Sequence, residues 1–289
     1  MMKFRHILAV LLLAVIVYAC GDDGPTVPTA DPNFDHAGQA LKDNDTIIKF
    51  LKSHYFDDSS DLIKTIDAGQ GSLFNDSRLQ ANKVNEFDID YVYYSFVKEV
   101  GNPDPVKDFP TVVDSVLVKF RLKTIDSSTV VKDVSDLNTA RWFNPASIEV
   151  RGWLYGFTHF KGGKNITNNG PITYEGAGNG FFLLPSGLSY RNNPQTLTNK
   201  ILLYYVNLLD IVEDTDSDRD GVPSILEDID GDGKPWNDDT DGDNISDFLD
   251  TDDDGDGVLT IREKKTSSDP NNPSLPDYLN PVIRVDNGN

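Results

Sequence analysis

Covalent cross-links are out of reach for this chain: its 289 residues include one cysteine, Cys20, and a single thiol cannot close a disulfide within one molecule. Histidine is nearly as scarce, and His6, His36, His54 and His159 are scattered, forming no cluster of the kind that holds zinc or copper. Positive charge is short as well. Against 47 Asp and Glu stand 26 Lys and Arg, a formal net charge of -21, which excludes nucleic acid as a partner because a phosphate backbone needs a basic surface. Cations are the natural partners of such a chain. No apolar run reaches the ~20 residues that cross a bilayer comfortably. What is present is a hydrophobic fraction of 38%, enough for a packed core, over a length that suits one or two domains. Roughly twenty of the acidic residues fall between Glu213 and Glu263, where only Arg219, Lys234 and Arg262 oppose them.

The N-terminus has the zones of a secretory signal over residues 1–19: Lys3, Arg5 and His6, then the apolar run from Ile7 to Tyr18, then Ala19. A transmembrane anchor and an ordinary cleaved signal compete with a third reading. The sole cysteine, directly after an apolar run and a small residue, resembles a bacterial lipobox, with Tyr18 as its one imperfect position. That resemblance implies that Cys20 becomes the acylated first residue and holds the protein to a membrane at ~0.8 kcal/mol per buried methylene. No thiol is then left, and stability must come from core and metal. Gly21-Asp22-Asp23 resembles the acidic export tag of surface-displayed Bacteroidetes lipoproteins, which implies an outer-membrane address facing the periplasm or the cell surface. Residues 20–34, with Pro25, Pro28 and Pro32, read as a tether.

Residues 35–86 read as a helical N-terminal extension. Apolar residues recur at helical intervals (Ala40/Leu41, Ile47/Ile48, Leu51), giving one or two helices, with Asn44 or Asp45 able to cap a second start. Between Asp57 and Asn85 only Leu62, Ile63 and Ile66 suggest a helical turn, broken by Gly69 to Gly71. From Ile89 the period changes to two, in Ile89/Tyr91/Tyr93 and in Val116/Val118/Phe120/Leu122, as half-buried antiparallel strands require. Asp126-Ser127-Ser128 reads as a hairpin turn. Ile148-Glu149-Val150 leads into Gly152-Trp153 and a short helix through Phe160, a strand covers Gly180 to Leu184, and Ile201 to Val212 reads as a central strand covered on both faces. The fold class expected is α+β, a twisted antiparallel sheet around a short helix.

Over about residues 87–212 the order of these motifs resembles an FKBP-type peptidyl-prolyl isomerase. Ile148-Glu149-Val150-Arg151-Gly152-Trp153 with Gly156, Phe160 and Gly162-Gly163 is similar to that family's strand, tryptophan and helix. Leu184-Pro185-Ser186-Gly187-Leu188-Ser189-Tyr190 is similar to its Ile-Pro-x-x-Leu-x-Tyr segment, and Ile201 to Asp210 to its last strand. The resemblance implies a proline pocket formed by Phe120, Val150, Trp153, Tyr190 and Tyr204, with the Tyr190 hydroxyl as hydrogen-bond donor and proline-containing polypeptides as substrates. Aromatic residues on a sheet are also the ordinary makings of a core. The sequence departs from the family at three places. Its acid falls at Val131, or at Asp133 if two residues are inserted; its glycine after the tyrosine is Arg191; and a polar insertion, Lys164 to Asn179, is long enough to flap over the groove.

From Asp214 the chain repeats with a period of about twelve, and the units fit a calcium-loop template with acids at positions 1, 3, 5 and 12 and glycine at 6. Asp216/Asp218/Asp220/Gly221 ends at Glu227, and Asp252/Asp254/Asp256/Gly257 ends at Glu263. Between them, Asp228/Asp230/Asp232/Gly233 ends at Asp239, which also begins Asp239/Asp241/Asp243/Asn244, with Asp247 and Asp250 behind it and Asp239 placed to serve two ions. Alternate carboxylates in a tight loop converge on one hard cation, and glycine or asparagine supplies the positive φ, so Ca2+ is the ion expected. Loops that begin where the previous one ends leave no room for flanking helices. Residues 213–264 therefore resemble thrombospondin type 3 repeats, in which the chain wraps a row of ions; a solvated acidic linker is the competing reading. Residues 265–289 form a C-terminal tail. Three functions from different classes are consistent with the whole: a lipid-anchored isomerase or chaperone of envelope or secreted proteins, a noncatalytic binding module on the same scaffold, and a calcium-stiffened stalk.

Overall fold

The computed structural model describes residues 31–127, 130–192 and 197–288. Cys20, the signal segment and the tether up to residue 30 lie outside the described residues, as does Ser128 of the expected turn. Among the described residues no helix is long and apolar enough to cross a membrane.

The N-terminal periodicity yields one helix, α1 (His36–Ser53). Its start is fixed by Asp35, whose carboxylate accepts a hydrogen bond from Gly38 N at 2.8 Å, the usual way to satisfy a helix's first free amides. Ala40, Asp43, Ile47, Phe50 and Leu51 face inward at intervals of three or four. No second start occurs at Asn44, whose side chain accepts instead from the Tyr94 hydroxyl at 2.9 Å.

Two short strands, β1 (His54–Asp57) and β2 (Leu62–Thr65), form a hairpin after α1. The helical turn expected around Leu62 is therefore a strand. Six longer strands make the main sheet: β3 (Leu79–Glu86), β4 (Ile89–Glu99), β5 (Ser115–Ser127), β6 (Val130–Phe143), β9 (Gly178–Leu184) and β10 (Ile201–Val212), in the order β3-β4-β9-β10-β5-β6 and antiparallel throughout. A small separate pair, β7 (Lys164–Asn165) and β8 (Tyr174–Glu175), lies within the polar insertion. The protein is thus α+β with a mostly antiparallel sheet and few helices. The boundary expected between residues 86 and 87 falls between β3 and β4, two paired strands, so the extension shares the sheet.

β10 lies between β9 and β5, and both its faces are covered. On one face Leu203 and Tyr205 meet Ile47, Phe50 and Leu51 of α1, together with Phe96 and Phe181. On the other, Leu202, Tyr204 and Val206 meet Trp153 and Phe157 from a short helix, α2 (Gly152–Gly156), and the 3-10 turn that follows it. The helix can approach this closely because a Cβ at Gly152 would lie 2.4 Å from the Leu184 side chain, and one at Gly156 would lie 2.8 Å from the Phe182 ring.

After β10 the chain runs through four acidic loops joined by 3-10 turns, and residues 265–288 fold back on them. Tyr278 and Leu279 bury themselves against Val222 in a small apolar cluster. Trp236, from the second loop, places its ring edge-on at 6.0 Å from Tyr155 of α2 and under the Arg151 guanidinium at 5.2 Å. Thr215 N donates to Asp114, and Ser115 N to Thr215, pinning the first loop to the start of β5.

Candidate functional site

Two groups of side chains stand out, one aromatic and one acidic. α2 presents Trp153 to the sheet, where four rings surround it edge-on: Phe120 at 5.4 Å, Tyr204 at 5.5 Å, Phe143 at 5.2 Å and Phe157 at 5.1 Å. Such edge-to-face pairs direct the positive rim of one ring at the negative face of another. Trp153 and Tyr204 are 3% and 1% exposed and Val150 is equally deep, so these three are core, while Phe120 and Tyr190 are half-buried. The five residues expected around a pocket are therefore brought together in one cluster. Phe143 belongs to that cluster and was not among them.

Burial raises the Tyr204 hydroxyl well above the usual phenol range, and the Tyr190 hydroxyl is raised for the same first reason. The two hydroxyls interact. The Trp153 indole N–H is buried without a hydrogen-bond partner among the described residues. Beside Tyr190 opens a hollow of about 450 Å³ lined by Phe87, Ala146, Ser147, Ile148, Glu149, Arg151, Ser189, Tyr190 and Arg191. Arg191, which stands where the FKBP pattern has glycine, lays its guanidinium over Phe87 at 4.2 Å. Phe87 and Asp88 both have positive φ, 55° and 59°, forming a two-residue hairpin turn that is strained for an aromatic residue.

Two of the sequence's departures from the FKBP pattern acquire places. Asp133 lies opposite Lys123 and forms an ion pair with it at 2.6 Å, on the face of β5 away from Trp153, so it is not the pocket's acid. The side chain of Val131 lies outside what is described. The polar insertion contacts Asp104, Asn102 and Asp210. Asp210 is six residues along β10 from Tyr204, or roughly 20 Å at a strand's rise. The insertion does not cover the aromatic cluster.

The acidic loops repeat one backbone pattern. In each, the Asp at position 1 accepts from the N–H at position 6: Gly221 to Asp216, Gly233 to Asp228, Asn244 to Asp239 and Gly257 to Asp252, at 2.8–3.1 Å. All four position-6 residues have positive φ, between 76° and 93°, which is why only glycine and asparagine stand there. In three loops the position-2 N–H bonds the position-9 side chain: Ser217 to Ser224, Thr240 to Asp247 and Asp253 to Thr260. Both Asp247 oxygens are engaged by Thr240, so Asp247 closes a turn, as Ser224 and Thr260 do.

Four sets of carboxylates converge within 4.8 Å: Asp218, Asp220, Glu227 and Asp253; Asp228, Asp230 and Asp238; Asp239, Asp241 and Asp243; and Asp252, Asp254 and Asp256. Asp238 takes the closing place expected of Asp239, which joins only the third set. Asp232 turns to Lys234 and Asn237, Asp250 accepts from Asp252 N, and both Asp216 oxygens accept backbone N–H groups. Glu263 sits beside the fourth set with both oxygens buried and unpartnered. Asp238 and Asp253 were missed by the template because neither stands at a ligand position of its own loop.

Most buried side-chain polar atoms without a partner, among the described residues, are carboxylate oxygens of this segment, including both oxygens of Glu227, Asp253 and Glu263. A buried, unpaired carboxylate costs several kcal/mol, and native chains avoid it. Burial, and then the neighbouring acids, pushes Glu227 up to about 10, Asp253 to about 9, Glu263 to about 8 and Asp218 to about 7. The donor set is all oxygen, partly desolvated and dense in negative charge, and it fits a hard divalent cation.

Comparison with known proteins touches both regions. A family model described as "BamM C-terminal" matches residues 217–289, about a quarter of the chain. That span takes in both the acidic loops and the folded-back tail. No curated protein matches. Among solved structures the chain is similar to a peptidyl-prolyl cis-trans isomerase from Pseudomonas syringae pv. tomato, at 14% identity over 67% of this chain and all of that one, with a TM-score of 0.36. It is similar to FkpA from Escherichia coli, at 17% identity over 73% of this chain and 72% of that one, with a TM-score of 0.32. A multi-domain immunophilin from Arabidopsis thaliana is similar at 14% identity over 47% of this chain and 46% of that one, with a TM-score of 0.33.

Proposed function

We propose that this chain is a prolyl cis-trans isomerase or chaperone of envelope or secreted proteins, anchored to the outer membrane through an acylated Cys20 and carrying a calcium-binding tail. The carrying observation is the Trp153 cluster: an indole ringed edge-on by Phe120, Phe143, Phe157 and Tyr204, with Tyr190 packed against the same cluster and lining an open hollow. Rotation about a prolyl amide is opposed by ~18–20 kcal/mol of lost resonance. No nucleophile is needed to lower that barrier. A dry aromatic surface favours the twisted amide, which has lost charge separation, over the planar one, and a hydroxyl donor supports it. The Tyr190 hydroxyl, which lines the hollow, would be that donor to a substrate carbonyl. The insertion, standing off the cluster, leaves the hollow accessible.

One observation favours a second reading, a noncatalytic module that holds extended peptides. Asp133 pairs with Lys123 on the opposite face, so the pocket lacks the acid of the FKBP pattern at that position. A protease-coupled prolyl isomerisation assay on the calcium-loaded protein separates the two. Acceleration that falls roughly tenfold in Tyr190→Phe, the cost of about one hydrogen bond, and vanishes in a Trp153→Ala, Tyr190→Phe double variant supports the enzyme. A folded protein that binds proline peptides without accelerating their isomerisation is the binding module.

In the tail, the residues that would hold calcium are Asp218, Asp220 and Glu227; Asp228, Asp230 and Asp238; Asp239, Asp241 and Asp243; and Asp252, Asp254 and Asp256, with Glu263 beside the last set. The ion there would supply the countercharge that lets these acids stay ionised while buried, and so would order the segment. Support comes from the orphaned carboxylate oxygens and from the repeated position-6 turns.

A further inference from the structure

A row of separate ions would need each loop to close on itself, and the first loop does not. Its Asp218, Asp220 and Glu227 converge with Asp253, the second residue of the fourth loop, at the far end of the repeat. Position 2 of a calcium loop ordinarily points away from the loop's own ion, because ligands alternate at positions 1, 3 and 5. In the other loops that position holds Ser217, Ile229 and Thr240, none of them charged. In the fourth it holds an aspartate that is 1% exposed, with neither carboxylate oxygen partnered. Glu227, facing it, is fully buried and likewise unpartnered at both oxygens. The Asp253 backbone is held in place by its N–H bond to Thr260 Oγ1 at 3.2 Å. The loops also touch elsewhere, since a Cβ at Gly255 would lie 2.4 Å from an Asp241 oxygen.

We propose that Asp253 is the fourth carboxylate of the first loop's cation site, so that one calcium ion ties the first loop to the fourth and closes the repeat into a ring. This rests on the calcium reading above and goes beyond it. The ion then has two independent effects: it offsets half the charge of four converging carboxylates, and it cross-links segments distant in sequence, as a disulfide would. The cross-linked ends lie where Tyr278 and Leu279 pack on Val222, so the folded-back tail covers the closure.

The test is calorimetric titration of the full chain in detergent with calcium alone, comparing wild type with Asp253→Asn, and thermal unfolding of both with calcium and with chelator. Asp253→Asn is nearly isosteric and removes one of four mutually repelling charges. The variant should therefore lose one site, or bind it at least roughly tenfold more weakly as ligand charge falls. It should unfold at lower temperature than wild type in calcium yet at equal or higher temperature in chelator. A merely structural role would lower both. Hydrogen exchange on Glu227→Gln supplies a second readout: calcium should protect residues 252–263 less than it does in wild type, although the substitution lies in the first loop. Wild type that takes up no calcium sinks the calcium reading and this inference together. Wild type that binds calcium, with Asp253→Asn equal to it in stoichiometry and affinity, or with the effect of Glu227→Gln confined to the first loop, sinks this inference alone.

Discussion

The sheet and the tail solve the same problem, how to hold a chain without disulfides, by opposite means. Around β10 the interior is apolar: α1 lies on one face and the Trp153 cluster on the other, and most buried rings meet other rings. In the tail the interior is carboxylate, and beyond Val222, Phe248, Tyr278 and Leu279 little apolar surface is buried. The first kind of core is complete without a ligand. The second is electrostatically unfinished, since like charges packed away from water repel and have lost their hydration. Stability in one region should therefore respond to volume, and in the other to a cation and to backbone geometry.

The largest expected effect lies in the sheet. Phe143→Ala removes one of four rings around Trp153 and, the ring being partly buried, should cost about 2–3 kcal/mol, read from urea unfolding of the sheet's transition, while calcium affinity stays unchanged. Loss of calcium binding in that variant would erase the separation between the two regions. In the tail, Gly257→Ala forces a side chain to φ 93° and should cost roughly 1–2 kcal/mol in the calcium-loaded transition alone, leaving the sheet's midpoint where it was. The smallest effect is that of pH. Burial lowers the affinity of His159 and His54 for protons; His159 is bonded through Nε2 to the Tyr93 hydroxyl at 2.9 Å, and His54 is stacked on Phe50. The folded sheet thus prefers both rings neutral. Their contribution is fully present above about 6.5, the ordinary histidine value, and is lost as the pH falls below it. In chelator, the sheet's melting temperature should decline as the pH falls through 6.5, and His159→Gln should flatten that decline.

What was legible in the sequence follows the range of the interaction concerned. β5 and β10 showed themselves by their alternation or apolar length, and the acidic loops by spacing within twelve residues, because one local turn dictates each pattern. β3 was not legible, being a polar edge strand joined to β4 by Phe87-Asp88, a turn without the asparagine and glycine that normally announce a hairpin. Phe143 could be found only through the pairing of β6 with β5, in which it lies opposite Val116. Asp247 fitted an acidic template yet serves as a turn acceptor, a role that its counterparts Ser224 and Thr260 fill without charge. Asp253 carried no local signal, since its partners lie in another loop.

The central claim is that the tail is ordered by calcium while the sheet is not, and amide hydrogen exchange of the full chain with calcium and with chelator tests it most directly. Protection of residues 216–263 that appears only with calcium, alongside unchanged protection in β9 and β10, is the result the account predicts. Equal protection of the tail in both conditions, or loss of protection from β10 on chelation, would contradict it.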